Sequence, residues 1–236
     1  LELSIATASE EMRILFTDSS GTAGQIVVDG GDNSMAFETG TSEAMRIDSS
    51  GNVGIGTSNP YAGLEIQGPV IGSNGVDVDY FKALKLSLPD GTEWGSQAQF
   101  SVGRYAEHTN LALSSLVISL GHGAQNSSSD ADTDVMTLLS SGNVGIGVTP
   151  ETAWSGFTAL QVGAGVALSG GTGTDELLLT ANVYYDGSDY KRISNNYATI
   201  YQQSDASHRF FVNGAGTPDV AFTPSEAMRI DSSGNV

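Results

Sequence analysis

Residues 42–57 have the sequence SEAMRIDSSGNVGIGT, a motif that recurs along the chain. Residues 134–149 have the sequence DVMTLLSSGNVGIGVT, and residues 225–236 have the sequence SEAMRIDSSGNV. The shared turn glycines are Gly51, Gly142 and Gly234, which are 91 and then 92 residues apart. A repeat at a nearly constant spacing predicts a repetitive architecture rather than a single irregular globule.

Each copy has the pattern of a β-hairpin. Met45 and Ile47 alternate with Arg46 and Asp48, which is the period of two expected of a half-buried strand. Asp48 to Gly51 then supply turn chemistry, because an Asp side chain can bond the turn backbone and Gly accepts a positive φ. In the second copy Leu139 replaces the leading Asp, so we expect that hairpin to survive with a weaker turn.

The second strand of the motif alternates apolar residues with glycines. Gly54 and Gly56 in the first copy correspond to Gly145 and Gly147 in the second. Glycine inside a strand indicates the close approach of another backbone. A single hairpin is not stable alone, so its Val and Ile side chains need a partner surface. Two further copies of the chain, wound about a shared axis, would satisfy both requirements.

Between the hairpins the sequence also predicts strands and Gly-rich loops, so the expected fold class is all-β. The stretch Leu111–Leu120 is the most helix-like segment of the chain. We expect three repeat units: an N-terminal β segment with the first hairpin (1–60), a spacer with the second hairpin (61–150), and a spacer with a third, truncated hairpin (151–236). The chain starts and stops within its pattern, so we expect it to be part of a longer protein.

Composition narrows the classes of partner. The 236 residues include 27 acidic and 9 basic side chains, which give a net charge of −18. This balance argues against nucleic acid, since phosphates require Lys and Arg, and against docking on an anionic membrane surface. No apolar run is long enough to span a bilayer, so we expect no membrane insertion. The absence of Cys excludes disulfides and zinc–thiolate sites.

Motifs for catalysis and cofactors are absent from the sequence. The three His residues lie in no metalloprotease motif, and the chain has no GxSxG or P-loop pattern, so we expect no enzyme activity and no cofactor. Asp130, Asp132 and Asp134 begin like an EF-hand loop, but Val135 replaces the turn Gly and Ser141 the closing Glu. These three aspartates are weak candidates for a looser calcium site, and a solvated acidic loop explains them as well.

Aromatic residues cluster in the second spacer. Tyr184, Tyr185 and Tyr190 are flanked by Asp and Asn, and Tyr197, Tyr201, Phe210 and Phe211 follow within the same 28 positions. Exposed aromatic rings can stack on sugars or anchor a protein contact, so the first three are candidate receptor contacts. The alternative, which the frequency of buried aromatics favours, is that the rings fill a core between chains.

The motif MRIDSSGNVGIGT followed by a proline resembles the repeat of tail-fibre and other appendage proteins of tailed bacteriophages. Residues 154–163 (WSGFTALQVG) and 183–193 (VYYDGSDYKRI) resemble a module found in such fibres. The resemblance implies an interwound homotrimeric fibre of repetitive hairpins with small β-subdomains. It also implies a structural and adhesive role on the virion, outside the cell, next to other tail proteins and a glycan or protein receptor of the host surface.

Two other functional hypotheses remain open from the sequence. The same repeat occurs in bacterial surface proteins, so a bacterial adhesin or appendage subunit is the first alternative. A fibre that degrades polysaccharide is the second, because paired carboxylates for glycan hydrolysis come together only in three dimensions.

Overall fold

The computed structural model describes residues 11–19, 21–68, 80–88, 96–106, 113–122, 133–152, 154–172 and 175–236. These residues contain strands and turns and no helix, so the prediction of an all-β chain is confirmed. The chain forms two compact units, residues 1–72 and 73–236. In the described ranges no helix is long and apolar enough to cross a membrane.

The first unit contains one six-stranded sheet with the strands in sequence order. Its strands are β1 (Glu11–Asp18), β2 (Gly21–Asp29), β3 (Ser34–Thr39), β4 (Ser42–Ile47), β5 (Val53–Ile55) and β6 (Leu64–Ile66). Neighbours are antiparallel up to β5, and β6 then pairs parallel with β5. After the β4–β5 hairpin, a short connection returns the chain to the same end of the sheet, so that β6 runs parallel to β5.

The second unit contains an eleven-stranded sheet and a three-stranded sheet. The large sheet begins with β7 (Tyr80–Leu88), β8 (Ser96–Ala106), β9 (Leu113–His122), β10 (Thr133–Leu139), β11 (Val144–Ile146) and β12 (Phe157–Val162). It continues with β13 (Val166–Gly171), β14 (Leu177–Ala181), β17 (Ala198–Ser204), β18 (Ser207–Asn213) and β20 (Glu226–Ile230). The small sheet comprises β15 (Tyr184–Tyr185), β16 (Tyr190–Lys191) and β19 (Ala221–Phe222).

Residues 113–120, the described part of the stretch that looked most helix-like in the sequence, lie in strand β9 instead. Leu116, Ile118 and Leu120 lie on one side of β9, and the buried Ser115 and Ser119 lie on the other. This is a period of two, which the apolar Val117 between them hides in the sequence. Tertiary pairing with β8 and β10 on both sides then holds the segment extended.

The core of the second unit lies between its two sheets. Leu178, Ala198 and Ile200 on the large sheet pack with Tyr190 and Phe222 of the small sheet. A second cluster joins Trp154, Ala159, Ala167 and Tyr184. The small sheet therefore covers one face of β12, β13, β14, β17 and β18, and no layer formed by the described residues covers the opposite face of the large sheet.

Candidate functional site: the repeated hairpins and the uncovered sheet face

The first two copies of the repeat fold into hairpins with the same register. In the first copy Met45, Arg46 and Ile47 lie opposite Ile55, Gly54 and Val53. The corresponding pairs in the second copy are Met136–Ile146, Thr137–Gly145 and Leu138–Val144. The third copy contributes its first strand, β20, and the turn that follows it.

The Asp side chain organises the turns of the first and third copies. Asp48 Oδ1 accepts hydrogen bonds from the Ser50 and Asn52 amides, both at 2.8 Å, and Asp231 Oδ1 accepts from Ser233 and Asn235, both at 2.9 Å. Gly51 and Gly234 have φ of +84° and +85°, in the left-handed region that favours glycine. Each turn is closed by a backbone bond from the glycine to the leading Asp.

Hydrogen bonding sets the pKa of these carboxyl groups. The Asn235 side chain and amide hold the pKa of Asp231 below its ordinary value. At Asp48 partial desolvation on its own raises the pKa, but bonds from Asn52, Ser50 and Gly51 together bring it below the ordinary value. Both turns are therefore most stable with the carboxyl group ionised.

The glycines of the second hairpin strand make room for the same chain. A Cβ on Gly54 would overlap the carbonyl oxygen of Thr57, and one on Gly145 would overlap that of Val148 and lie 2.8 Å from Pro150 Cδ. Gly56 and Gly147 have positive φ values of +75° and +65° where the chain leaves the strand. The expected close backbone is present, but it belongs to the connection that follows each hairpin, so these glycines do not by themselves indicate neighbouring chains.

The uncovered face of the first unit is apolar at every position of two neighbouring rows. Cross-strand partners lie on the same face of a sheet, so the register defines these rows. One row is Met12, Val28, Met35, Ile47, Val53 and Leu64, and the other is Ile14, Ile26, Phe37, Met45, Ile55 and Ile66. None of these twelve side chains is buried, and Leu64 is 58% exposed.

The large sheet of the second unit repeats this arrangement from β8 to β20. One row is Val102, Leu116, Leu138, Val144, Leu160, Leu168, Leu179, Tyr201, Phe210 and Met228. The next row is Phe100, Ile118, Met136, Ile146, Val162, Val166, Ala181, Thr199 and Val212. Neither row contains a charged or a buried residue. We call the two rows of each unit the apolar face of that unit.

On the opposite side of the large sheet, the central row is buried and is more polar than the two apolar rows. This row is Ser101, Val117, Thr137, Gly145, Gln161, Ala167, Thr180 and Ile200, and every member is buried. Five of these eight residues are Ser, Thr, Gln or Gly. A soluble sheet normally buries its large aliphatic side chains and exposes its polar ones. Between this central row and the two apolar rows the distribution is inverted, and an exposed apolar strip of this kind is typical of contact surfaces.

The aromatic cluster is divided between the core and the apolar face. Tyr184 is 4% exposed, packs edge-on against Trp154, and donates a hydrogen bond from its hydroxyl to Asp219 Oδ1 at 2.7 Å. Tyr185 packs between Phe157 and Tyr190. Of these three candidate receptor contacts, Tyr184 is therefore buried in the core of a single chain, and Tyr185 and Tyr190 are half-buried beside it. Tyr201 and Phe210 lie on the apolar face instead.

Burial and nearby charge raise the pKa of the core tyrosines. Burial, and then the hydrogen bond to Asp219, raise the pKa of Tyr184. Burial, and then the charge of Glu176, raise the pKa of Tyr190 to about 12. Beside them, Lys191 Nζ lies 2.5 Å from Asp186 Oδ2 and, with the Asp189 and Ser188 amides, lowers the pKa of Asp186 to about 2. Each of these groups contacts another side chain of the same chain: Tyr184 contacts Asp219, Tyr190 contacts Tyr185, and Lys191 contacts Asp186.

The structure describes only one of the three candidate metal-ligating aspartates. Asp130 and Asp132 lie outside the described residues. Asp134 lies on β10, where its Oδ1 accepts a hydrogen bond from Ser119 Oγ at 2.7 Å. Among the described side chains, no group of three or more His, Asp and Glu residues could hold a metal ion.

Sequence reasoning missed two features of this surface. The burial of Tyr184 depends on Asp219, which is 35 residues away, so local sequence gives no signal for it. The apolar face could have been found, because each of its strands alternates in the sequence, but only the register between strands shows that all the alternations fall on one side. A comparison with protein-family models finds no match for this chain, and neither does a search of curated proteins.

Proposed function

We propose that this chain is a segment of a homotrimeric β-fibre in which the apolar face of each copy packs against two further copies. The observation that carries the proposal is that the aliphatic rows of the large sheet are exposed, while the more polar central row on its opposite side is buried. Isolated soluble chains rarely expose an apolar strip of this length. Packing against other copies removes the strip from water.

A further copy of the chain is the occupant that fits the charge pattern. The chain carries a net charge of −18, yet the two rows from β8 to β20 contain no charged residue. A second copy presents a strip of the same length and the same lack of charge, and it leaves the acidic residues at the outer surface. Such an arrangement limits repulsion between chains that are all strongly negative.

The size of the strip suits a stable assembly. Ten neighbouring strands at a spacing of about 4.8 Å extend for about 45 Å, and successive side chains on one face are about 7 Å apart along each strand. A strip of these dimensions approaches the area of about 800 Å² per partner that stable protein interfaces bury. The first unit adds a second such surface six strands wide.

The resemblance to phage tail fibres supports the threefold arrangement and the role in attachment. In this role the segment is a spacer that holds receptor-binding parts away from the particle, and three chains multiply weak contacts through avidity. The proposed partners are two copies of the chain, other tail proteins of the virion, and a glycan or protein of the host surface. The proposed location is the virion, outside the cell.

Light scattering tests the assembly directly. We expect a mass close to three times the 24.4 kDa of one chain, and resistance to mild heating in detergent. A mass of 24.4 kDa would overturn the proposal. A dimer would retain self-association and overturn the threefold arrangement.

A matched pair of variants tests which surface is used. Val162, on the apolar face, is 49% exposed, and Val220, which lies on neither row, is 54% exposed. Val162→Asp would place a charge in the buried interface, which costs several kcal/mol, so we expect it to yield monomers. Val220→Asp introduces the same chemistry at the same exposure and should leave the trimer intact. Equal masses for the two variants would show that the apolar face is not the interface.

A further inference from the structure

A small hydrogen-bonded network lies at one end of the apolar face of the second unit. Gln203 Nε2 donates to Tyr201 Oη at 2.8 Å, and Tyr201 Oη lies 2.7 Å from His208 Nδ1. Gln203 and His208 are cross-strand partners on β17 and β18, and Tyr201 is two residues before Gln203. All three side chains therefore lie on the side of the sheet that carries the apolar rows. We call these three residues the polar cluster.

Apolar side chains flank the polar cluster on the neighbouring strands. Its cross-strand neighbours on the same side of the sheet are Leu177, Leu179, Phe210 and Ile230. The rings of Tyr201 and Phe210 stack with their centroids 4.9 Å apart. Tyr201 and Gln203 are half-buried, and His208 is exposed. A partner that covers this end of the apolar face therefore also covers the polar cluster.

The hydrogen bonds within the polar cluster leave an imidazole donor and an amide acceptor unused. The Tyr201 oxygen accepts from Gln203, so its own proton is available to Nδ1 of His208, and in the neutral imidazole the remaining proton then lies on Nε2. Neither His208 Nε2 nor Gln203 Oε1 has a hydrogen-bond partner among the described residues. Each chain therefore presents a spare donor and a spare acceptor beside the same apolar surface.

The occupant that fits this surface is a second copy of the chain. Covering the polar cluster excludes water from the spare donor and acceptor, and buried polar groups need a partner. A second copy supplies both complementary groups, because His208 of one copy can face Gln203 of the next. A closed ring of three copies pairs three donors with three acceptors and leaves none over. The four flanking residues are uncharged, so the approach of the copies brings no like charges together there.

We propose that the polar cluster forms a hydrogen-bonded layer between copies, in which His208 Nε2 donates to Gln203 Oε1 of the next copy, and that this layer fixes the register of the chains. The aliphatic rows alone tolerate a shift between copies, because one Leu or Val packs on another with little preference. A shifted copy leaves the Gln203 amide buried against an aliphatic side chain without a partner, which is unfavourable. A single polar residue fixes the register of a coiled coil in the same way.

This inference rests on the proposed function, because it requires the apolar face to be an interface between three copies. It goes further by naming the contact that aligns them. The proposed function fails if the unaltered chain is a monomer. The inference alone fails if the chain is a trimer in which Gln203 and His208 of different copies do not meet.

Disulfide cross-linking between copies tests the proposed contact, since the chain has no Cys of its own. Chains with Gln203→Cys and chains with His208→Cys are unfolded together, refolded as a mixture and mildly oxidised, and mass spectrometry identifies the joined peptides. The control mixture combines Gln203→Cys with Val220→Cys, since Val220 is 54% exposed and lies on neither apolar row. We expect severalfold more of the disulfide between positions 203 and 208 than between positions 203 and 220. Equal yields in a trimeric sample would overturn the proposed contact.

A leucine variant tests whether the polar cluster fixes the register. Gln203→Leu removes the amide and keeps an apolar surface, so we expect light scattering to show several masses in place of one, because shifted copies do not close a ring. Gln202→Leu is the matched control, since it makes the same substitution at the next residue, whose side chain donates to Glu176 on the opposite side of the sheet. We expect this control to keep a single mass. A single trimer mass for Gln203→Leu would overturn the role in register and leave the proposed function intact.

Discussion

The first and second hairpins of the repeat share a backbone and differ in what stabilises it. Both turns are closed by the same pair of backbone hydrogen bonds, Asp48 with Asn52 and Gly51 in one, Leu139 with Asn143 and Gly142 in the other. The first turn adds three bonds to the Asp48 carboxylate. The second turn has no carboxylate at this position, and Leu139 is buried there instead.

The Asn side chain that ends each turn has a different hydrogen-bond partner in the two hairpins, and this difference shows what stabilises the second turn in place of the carboxylate. In the first hairpin the Asn52 side chain bonds Asp48 within the turn, at 3.0 Å. In the second, Asn143 is 1% exposed and its Oδ1 accepts from the Ala159 amide on β12, at 3.0 Å. The same sequence motif is therefore stabilised locally in one copy and by tertiary contacts in the other.

The largest effect is expected where the chain returns over the hairpin. In Gly145→Ala the new Cβ would overlap the Val148 carbonyl and lie 2.8 Å from Pro150 Cδ. Neither neighbour is a flexible side chain, so we expect a loss of about 3 kcal/mol in the free energy of unfolding. Gly54→Ala meets the Thr57 carbonyl but no proline ring, and should cost less. Urea unfolding measures both.

Gly165→Ala is the control for these two variants. A Cβ at Gly165 would have no neighbour within 4 Å, so its effect should stay within about 1 kcal/mol. If Gly145→Ala were as stable as this control, the connection after the second hairpin could not be packed against the strand as described.

The next largest loss of stability is expected on replacing Asn143, compared with Asn52 at the corresponding position of the first hairpin. Asn143→Ala removes the acceptor of the buried Ala159 amide and leaves that amide unpaired, which costs about 2 kcal/mol. Asn52→Ala removes one bond at a half-exposed turn in which Asp48 still accepts from two backbone amides, so its cost should be severalfold smaller. Thermal unfolding compares the pair. Equal losses would mean that the second turn is stabilised locally as well.

The local elements of this fold could be predicted from the sequence, because their signals are local. The period of two around Met45 and Ile47 predicted the strand, and Asp48 to Gly51 predicted the turn. The return of β6 and β12 to the sheet as parallel strands could not be predicted, because nothing within three residues such as Leu64–Ile66 specifies a partner. The glycine rows gave a correct signal of a close backbone and no information about whose backbone it was.

The candidate surface was harder to predict than the strands. Alternation in Leu160 and Val162, or in Val166 and Leu168, shows that one side of each strand is apolar, but not which side the small sheet covers. That choice depends on Tyr184, Tyr190 and Phe222, which the chain brings back from distant positions. The stacking of Tyr201 with Phe210 and with His208 depends likewise on a two-residue turn at Asp205 and Ala206, where Ala is not a typical residue for positive φ.

The smallest predicted effect concerns acid and uses the carboxylate that only one of these two hairpins has. Folding lowers the pKa of Asp48 below its ordinary value of 3.8, so the stability that this group contributes is present above that value and is lost as the pH falls through the lowered pKa. Leu139 has no such dependence. We therefore expect amide hydrogen exchange to show that protection of the Asn52 amide falls below about pH 4, while protection of the Asn143 amide is unchanged in the same range. Asp48→Asn keeps an acceptor at this position without a titrating group, so it should abolish the pH dependence at Asn52. If the dependence persisted in that variant, the acid sensitivity would arise elsewhere in the first unit, and the two turns would differ in hydrogen bonding without differing in their response to pH.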